Sequence, residues 1–335
     1  MLISSSPLRF SLNGGGSDLP SYLESHNGLS VVMPINKRVY ITLHESFSGD
    51  YRIAYSKIEE AASIEEIRHP IVRATLDFLK WSGPGLEITS IADVPSNGTG
   101  LGSSSAFTVA LISGILKMQN RKLSNFEIAK LACEVEIEVL NSPIGYQDQY
   151  GCALGDINEM RFYKGGKVEV VPVFSKIEDK LLFTQKINSS LLFFHINQPR
   201  SANKILSEQQ LRISKDPVAA TTTSKMVSLA EETIACIKKM DIPELGSLLT
   251  SGWILKSSIN GDDSDIYLNE IFEWCESSPI YGAKLLGAGG GGFLAVLADE
   301  KHHNTLVESL RNKCNKYDAK VEISGPNVQV IGELI

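Results

Sequence analysis

Apolar positions alternating at Val39, Ile41 and Leu43, preceded by Leu29, Val31 and Val32, predict a β-rich run over residues 28–43. Residues 86–91 read as a short buried strand ending before Pro95, and residues 103–118 are apolar nearly all round, the mark of a helix buried on every side. Ser124 and Glu127 form an S-x-x-E capping box for a helix expected to reach about Leu140, where Asn141, Ser142 and Pro143 stop it. On it Glu127, Lys130, Glu134 and Glu138 recur as one solvated stripe. Glu136 falls ~160° from Glu138 at ~100° per residue, beside Ala129, Ala132, Cys133 and Val139. A carboxylate there needs a partner, which either an arginine or a functional role would supply.

Residues 160–173, with Gly165 and Gly166, look like a hairpin closing the first half, so domains are expected at 1–175 and 176–335. The second half carries helical periodicity over 201–277, then a strand, a glycine run, a strand over 293–298, a helix from about 301 to 316 and closing strands at 321–324 and 328–331. That order suggests helices on one face of an antiparallel sheet, an α+β class. The absence of a repeat excludes solenoids and propellers.

Composition narrows the partners. The 335 residues are 43% hydrophobic and 21% charged, an ordinary globular balance. A net charge of -7 without a Lys/Arg cluster argues against nucleic acid. Five widely spaced cysteines without C-x-x-C argue against a disulfide framework or zinc site and for a reducing cytoplasm. No stretch reads as a signal peptide, and the longest apolar run, 106–116, is too short for a bilayer, so a cytoplasmic protein without membrane partners is expected.

Four segments carry candidate chemistry. Pro95-Ser-Asn-Gly98-Thr-Gly100-Leu101-Gly102-Ser103-Ser104-Ser105-Ala106 lies between a strand and a buried helix, where free N–H groups and the positive helix end attract phosphate. Its serine hydroxyls could cap the helix, bind phosphate or ligate Mg²⁺, and no lysine follows the last glycine as a Walker A loop would require. Residues 287–292 match G-x-G-x-x-G, but the strand-like run after them excludes a dinucleotide fold, and five glycines in six positions suggest close approach to a ligand. Asp148, in the segment after the Glu136 helix, is either a turn aspartate or a second acid at the mouth of the serine loop. Near the start, Arg9 sits on a strand-like run and Asp18 follows Gly14, Gly15, Gly16 and Ser17, a sugar-hydroxyl reader or a plain surface turn.

Taken in order, these segments resemble the GHMP small-molecule kinases, the galactokinase, homoserine, mevalonate and phosphomevalonate kinase superfamily, from about residue 3 to 335. Residues 95–106 resemble its ATP loop, 284–294 its glycine-rich third motif and 7–20 its substrate motif. P-L-R-x-S-x-x-G-G-G-S-D-L-P, G-L-G-S-S-S-A-F, G-x-Q-D-Q-Y and K-L-L-G-A-G-G-G-G-F lie nearest its D-glycero-D-manno-heptose 7-phosphate kinase branch. The resemblance implies a two-domain fold, an N-terminal domain like ribosomal protein S5 and a ferredoxin-like C-terminal domain, binding ATP and Mg²⁺ between them.

It further implies that Asp148 is the catalytic aspartate, Glu136 and Ser104 the magnesium residues, Arg9 a partner of the aspartate and Asp18 a sugar-binding carboxylate. Where galactokinases place a glutamate and a histidine, this chain has Gly15 and Gly16, which removes a carboxylate that reads a hexose hydroxyl and leaves room for a longer phosphorylated sugar. The expected reaction is phosphorylation of the anomeric hydroxyl of heptose 7-phosphate. Arg200, Lys204, Lys37 and Arg38 are candidates for the substrate phosphate, and Gly289, Gly290 and Gly291 for the substrate side of the third motif. A kinase for an unphosphorylated sugar such as L-fucose, a non-catalytic sugar sensor and, remotely, an oxidoreductase are the alternatives. A homodimer remains open.

Overall fold

A computed structural model of the chain describes residues 1–95, 98–196, 202–260, 266–287, 292–322 and 329–331. In chain order its first half comprises β1 (Leu2–Asn13), α1 (Pro20–Leu23), β2 (Gly28–Glu45), β3 (Tyr51–Ala54), β4 (Ile58–Ala61), α2 (Pro70–Phe78), β5 (Leu86–Ala92), α3 (Ser103–Met118), α4 (Asn125–Cys133), α5 (Gln147–Leu154), β6 (Asn158–Tyr163) and β7 (Lys167–Pro172). The second half comprises α6 (Ile177–Ser190), β8 (Leu191–Ile196), α7 (Ala202–Lys215), α8 (Pro217–Lys239), α9 (Ile242–Asn260), α10 (Ile266–Ser277), β9 (Gly282–Leu285), β10 (Gly292–Leu297), α11 (His303–Leu310), β11 (Cys314–Tyr317) and β12 (Gln329–Ile331).

The first sheet runs β12-β1-β2-β5-β3-β4, with the β6–β7 hairpin joined to the other end of β2. Strand β1 is buried along nearly its whole length because α3 and α5 pack against it as well as α8 and α9. Its serines are therefore satisfied internally: Ser4 Oγ donates to the Ala110 carbonyl at 2.7 Å and Ser6 Oγ to that of Cys152 at 3.1 Å. A bulge after Pro7 sets Arg9 opposite Pro34, and the Arg9 N–H donates out of the ladder to the Leu101 carbonyl at 3.0 Å. That one irregularity brings the start of the chain to the serine loop.

The second sheet is antiparallel throughout, in the order β11-β8-β10-β9. Sequence order 4-1-3-2 with intervening helices is the ferredoxin-like pattern, so the α+β expectation holds for this half. Three boundaries differ from the sequence reading. The expected helix to residue 316 ends at Leu310, and Cys314–Tyr317 pairs with β8 as an edge strand. Strand β8 itself escapes the periodicity argument because Leu191–Ile196 is a short continuous apolar run. The closing residues Gln329–Ile331 join β1 in the first sheet, so the 176–335 segment contributes a strand to the first half. Near them Val321 makes an isolated bridge to Ile35 in place of a strand over 321–324, whose residues 323–324 lie outside the described chain.

Helix α3 is buried on all sides as its composition requires, and Gly114 lets it close onto the sheet, since a Cβ there would lie 2.2 Å from Leu43 Cδ1. The Ser124–Glu127 capping box forms in both directions. All five cysteines are buried and none is in a disulfide among the described residues. Among the described residues no helix is long and apolar enough to cross a membrane.

Candidate active site

A cleft of about 1210 Å³ opens between the two halves and collects most of the described motif residues. At its centre lies the N-terminus of α3. Gly102, with φ +73°, occupies the N-cap in a left-handed conformation that a side chain would strain, and Gly98 and Gly100 turn the loop ahead of it. Pro95, Gly98, Gly100, Gly102, Ser103, Ser104 and Ser105 line the cleft, whereas Leu101 is buried beneath them as an anchor. Thr99 Oγ1 and Ser103 Oγ lie 2.9 Å apart and brace the loop across its turn.

Glu136 meets this helix end from below. After α4 the backbone widens into a π turn over Glu134–Val139, which aims Glu136 at α3 and leaves it 1% exposed. Ser104 Oγ donates to its Oε1 at 2.9 Å, Ser105 Oγ and Gln149 Nε2 to its Oε2 at 2.8 Å, and Thr108 Oγ1 to Oε1 at 3.0 Å. Burial pushes the carboxyl above its ordinary value and the four donors pull it back down. Its partners are thus hydroxyls and an amide rather than an arginine. The same wide turn carries Val139 out to solvent, contrary to the regular-helix expectation that it lies beside Glu136.

Asp148 stands in the first turn of α5, a quarter exposed to the cleft. Arg9 donates to its Oδ1 from Nε at 2.9 Å and from Nη2 at 2.7 Å, and from Nη1 to the Gly100 carbonyl at 2.7 Å. One buried guanidinium therefore ties the acid to the glycine loop, while Oδ2 has no partner among the described residues. Asp18 is buried next to them, accepting from the N–H of Gly16 at 2.9 Å and of Gln147 at 3.1 Å. Burial pushes this carboxyl above its ordinary value, the Gln147 N–H pulls it down and the charge of Asp148 raises it further. Ser17 Oγ donates to the Gly14 carbonyl at 2.7 Å and fixes the turn from which Asp18 emerges.

The space beside Gly15 and Gly16 is filled, not open. A Cβ on Gly15 would lie 3.0 Å from Gln147 Nε2, and one on Gly16 would lie 2.9 Å from Nε2 of Gln209, a buried amide on α7. The described glycines of the third motif also depart from expectation: a Cβ on Gly292 would lie 2.3 Å from the Gly98 carbonyl oxygen, so the close approach is to the serine loop's backbone. Gly289, Gly290, Gly291 and Arg200 lie outside the described residues, as does the Lys204 side chain. Lys37 and Arg38 do not line the cleft. Lys37 lies 5.2 Å from the centre of the Tyr317 ring, and Arg38 donates to Ser5 Oγ at 3.1 Å and to its carbonyl at 3.2 Å.

Two features of the cleft lie outside the sequence motifs, save that Lys284 opens the third of them. His69 stacks on Phe107 at 5.0 Å with Tyr55 edge-on at 4.7 Å, an aromatic wall drawn from three separate segments. Lys256 and Lys284 are both buried in the cleft wall. Lys284 Nζ donates to the Leu12 carbonyl and lies 3.5 Å from Asn13 Oδ1, stitching the second sheet to β1. Burial pushes its ammonium well below the ordinary lysine value, and the charges of Lys256 and Arg9 add to this.

A glycine- and serine-lined helix N-terminus, an arginine-held acid and a second, buried carboxylate meet in one cleft, an arrangement suited to a small-molecule kinase. Residues 69–156 match the N-terminal domain and residues 233–316 the C-terminal domain of GHMP kinases, together a little over half of the chain. The chain belongs to the GHMP kinase family and is an ATP-dependent phosphotransferase. It is 26% identical over 322 residues to the D-glycero-alpha-D-manno-heptose 7-phosphate kinase of Campylobacter jejuni, covering 92% of each chain. It is 24% identical over 338 residues to the bifunctional fucokinase/GDP-fucose pyrophosphorylase of Arabidopsis thaliana, covering 94% of this chain and 31% of that one. Its fold superposes on a D-glycero-D-manno-heptose 1-phosphate kinase from Bacteroides thetaiotaomicron with a TM-score of 0.79 at 23% identity, covering both chains in full.

Proposed function

We propose that this kinase phosphorylates the anomeric hydroxyl of D-glycero-D-manno-heptose 7-phosphate to give the 1,7-bisphosphate. The observation that carries the reading is the pairing of Asp148, held by Arg9 against the glycine loop, with Asp18 buried beside it on the acceptor side. With the sugar's first hydroxyl at Asp148 Oδ2, a bond forms from its oxygen to the γ-phosphorus as the bond from that phosphorus to the β-bridging oxygen breaks. The hydroxyl proton passes to Asp148 or to solvent. A loose transition state asks chiefly for alignment and charge stabilisation, which Arg9 and the N–H groups at the start of α3 supply. The aromatic wall of Tyr55, His69 and Phe107 suits a purine base.

Mg²⁺ fits the donor set at Glu136 and Ser104. The carboxylate is buried, carries no cationic partner among the described residues and presents oxygen next to a hydroxyl that faces the cleft. Bound there, the ion would neutralise charge on the β- and γ-phosphates. The likeness to a heptose 7-phosphate kinase, together with the absence of an acidic side chain at positions 15 and 16, supports a phosphorylated acceptor. A second reading, an L-fucose 1-kinase, rests on the likeness to the Arabidopsis fucokinase. Initial rates of ADP release with heptose 7-phosphate, heptose, L-fucose and galactose separate them: the proposal requires the first to have the highest kcat/KM, and a preference for L-fucose overturns it.

A further inference from the structure

Three basic side chains, Arg9, Lys256 and Lys284, line the cleft among the described residues besides His69, and two are engaged. Arg9 is spent on Asp148 and Gly100, and Lys284 on Leu12 and Asn13. The third, Lys256, is 8% exposed and has no hydrogen-bond or ion-pair partner among the described residues. It sits on α9, which packs against β1, β9, α7 and α8. An unpaired buried ammonium is costly to keep and would be replaced without loss by an apolar side chain unless it met a ligand.

We propose that Lys256 is the residue that receives the phosphate the acceptor sugar already carries, and so sets the enzyme's preference for a phosphorylated substrate. This inference rests on the heptose 7-phosphate reading above. Lys256 lines the same cleft as Gly15, Gly16, Asp18 and Asp148. Around Gly15 and Gly16 the cleft is otherwise lined by the neutral side chains of Ser11, Gln147 and Leu206, none of which carries a charge to balance a phosphate. The negative sugar-side wall made by Asp18 would repel a phosphate unless a cation stood with it, and Lys256 is the described cation placed to do so. Neither Lys37 nor Arg38 reaches this space.

Burial pushes the Lys256 ammonium down to about 8, against the raising effects of Asp18 and Asp148 and with the lowering effect of Arg9. Lys284 is the remaining charged group that bears on it, from β9. In the free enzyme its charge is therefore lost at mildly alkaline pH, where an arginine would keep its own.

The test measures kcat/KM for heptose 7-phosphate and for the dephosphorylated heptose in wild type, Lys256→Met and Lys256→Arg, from about pH 7 to 9.5. The expected result is a wild-type preference for the phosphorylated sugar that falls at least tenfold in Lys256→Met, through KM rather than through kcat on the dephosphorylated sugar. The wild-type preference also declines above about pH 8 while that of Lys256→Arg persists, since kcat/KM follows ionisation of the free enzyme. Met matches the length of the lysine stem, and thermal unfolding of Lys256→Met at or above the wild-type temperature is expected of a residue kept for ligand rather than fold. A wild-type ratio near one overturns the substrate reading and this inference with it. A wild-type preference that survives in Lys256→Met overturns the assignment of Lys256 alone, as does an equal loss of kcat on both sugars, the signature of a contact to the transferring phosphoryl group.

Discussion

Gly100 and Gly287 lie backbone against backbone across the boundary between the two sheets: a Cβ on Gly287 would lie 2.3 Å from the Gly100 Cα, and one on Gly100 would lie 2.4 Å from the Leu286 carbonyl oxygen. The glycine loop ahead of α3 and the third motif therefore interlock. Gly100→Ala should both clash and strain a backbone with φ +70°, costing roughly 2–4 kcal/mol in stability. Differential scanning calorimetry would register a lowered Tm, and isothermal titration with a non-hydrolysable ATP analogue a loss of affinity. A variant with unchanged Tm would show that the loops separate easily.

Asp148→Asn should abolish turnover while leaving affinity for the ATP analogue within a few-fold, because the acid faces the acceptor side and contacts the nucleotide loop only through Arg9. Loss of nucleotide affinity in proportion to rate would assign Asp148 to the nucleotide instead.

Glu136→Gln should strongly weaken activity across a Mg²⁺ titration, whereas Glu134→Gln should not. The two lie on one wide turn, but Glu134 is half-buried at the surface beside Lys130, 3.9 Å away, and Glu136 is enclosed by α3. Equal magnesium dependence in both variants would remove Glu136 from the metal.

Stability should carry the imprint of Lys256. Its folded-state value of about 8 lies below the ordinary 10.5, so as pH falls from about 10.5 the unfolded chain takes up this proton first and stability declines until about pH 8. Denaturant unfolding of wild type and Lys256→Met should then differ most below pH 8, by on the order of 3 kcal/mol at most, and converge toward alkaline pH. A constant difference would mean that the lysine keeps its charge on folding.

The thiols should be inert in the native state. Burial pushes Cys236 up to about 11 and Cys275 up to about 12, and raises Cys133 and Cys152 well above the ordinary thiol value for the same reason. A thiol-reactive dye at about pH 8 should react slowly with the folded protein and rapidly once it is unfolded. Fast stoichiometric labelling of any one of them would reveal local opening.

The elements that announced themselves in the sequence are those whose signal is local. The all-apolar stretch Ser103–Met118, the Ser124–Glu127 box and the glycine-centred β6–β7 hairpin each encode their structure within a few residues. The segments of the cleft were legible as motifs because glycines and serines crowd there for backbone reasons. The π turn at Glu134–Val139 was not, since its extra residue per turn leaves the apolar spacing almost unchanged. Lys256 and the wall of Tyr55, His69 and Phe107 were illegible because each is an ordinary residue whose meaning comes from what other segments bring beside it. The same holds for Gln209, whose amide occupies the space that Gly16, read alone, leaves vacant.

Ile3, Ser4 and Ser5 are paired with Ile331, Val330 and Gln329. During synthesis the outer edge of β1 must therefore stay unpartnered while more than three hundred residues follow it off the ribosome, a long interval for a bare strand edge. Assembly of the first sheet is completed last to first, and a nascent chain halted anywhere short of Gln329 leaves the edge beside the Arg9 bulge open to a foreign strand.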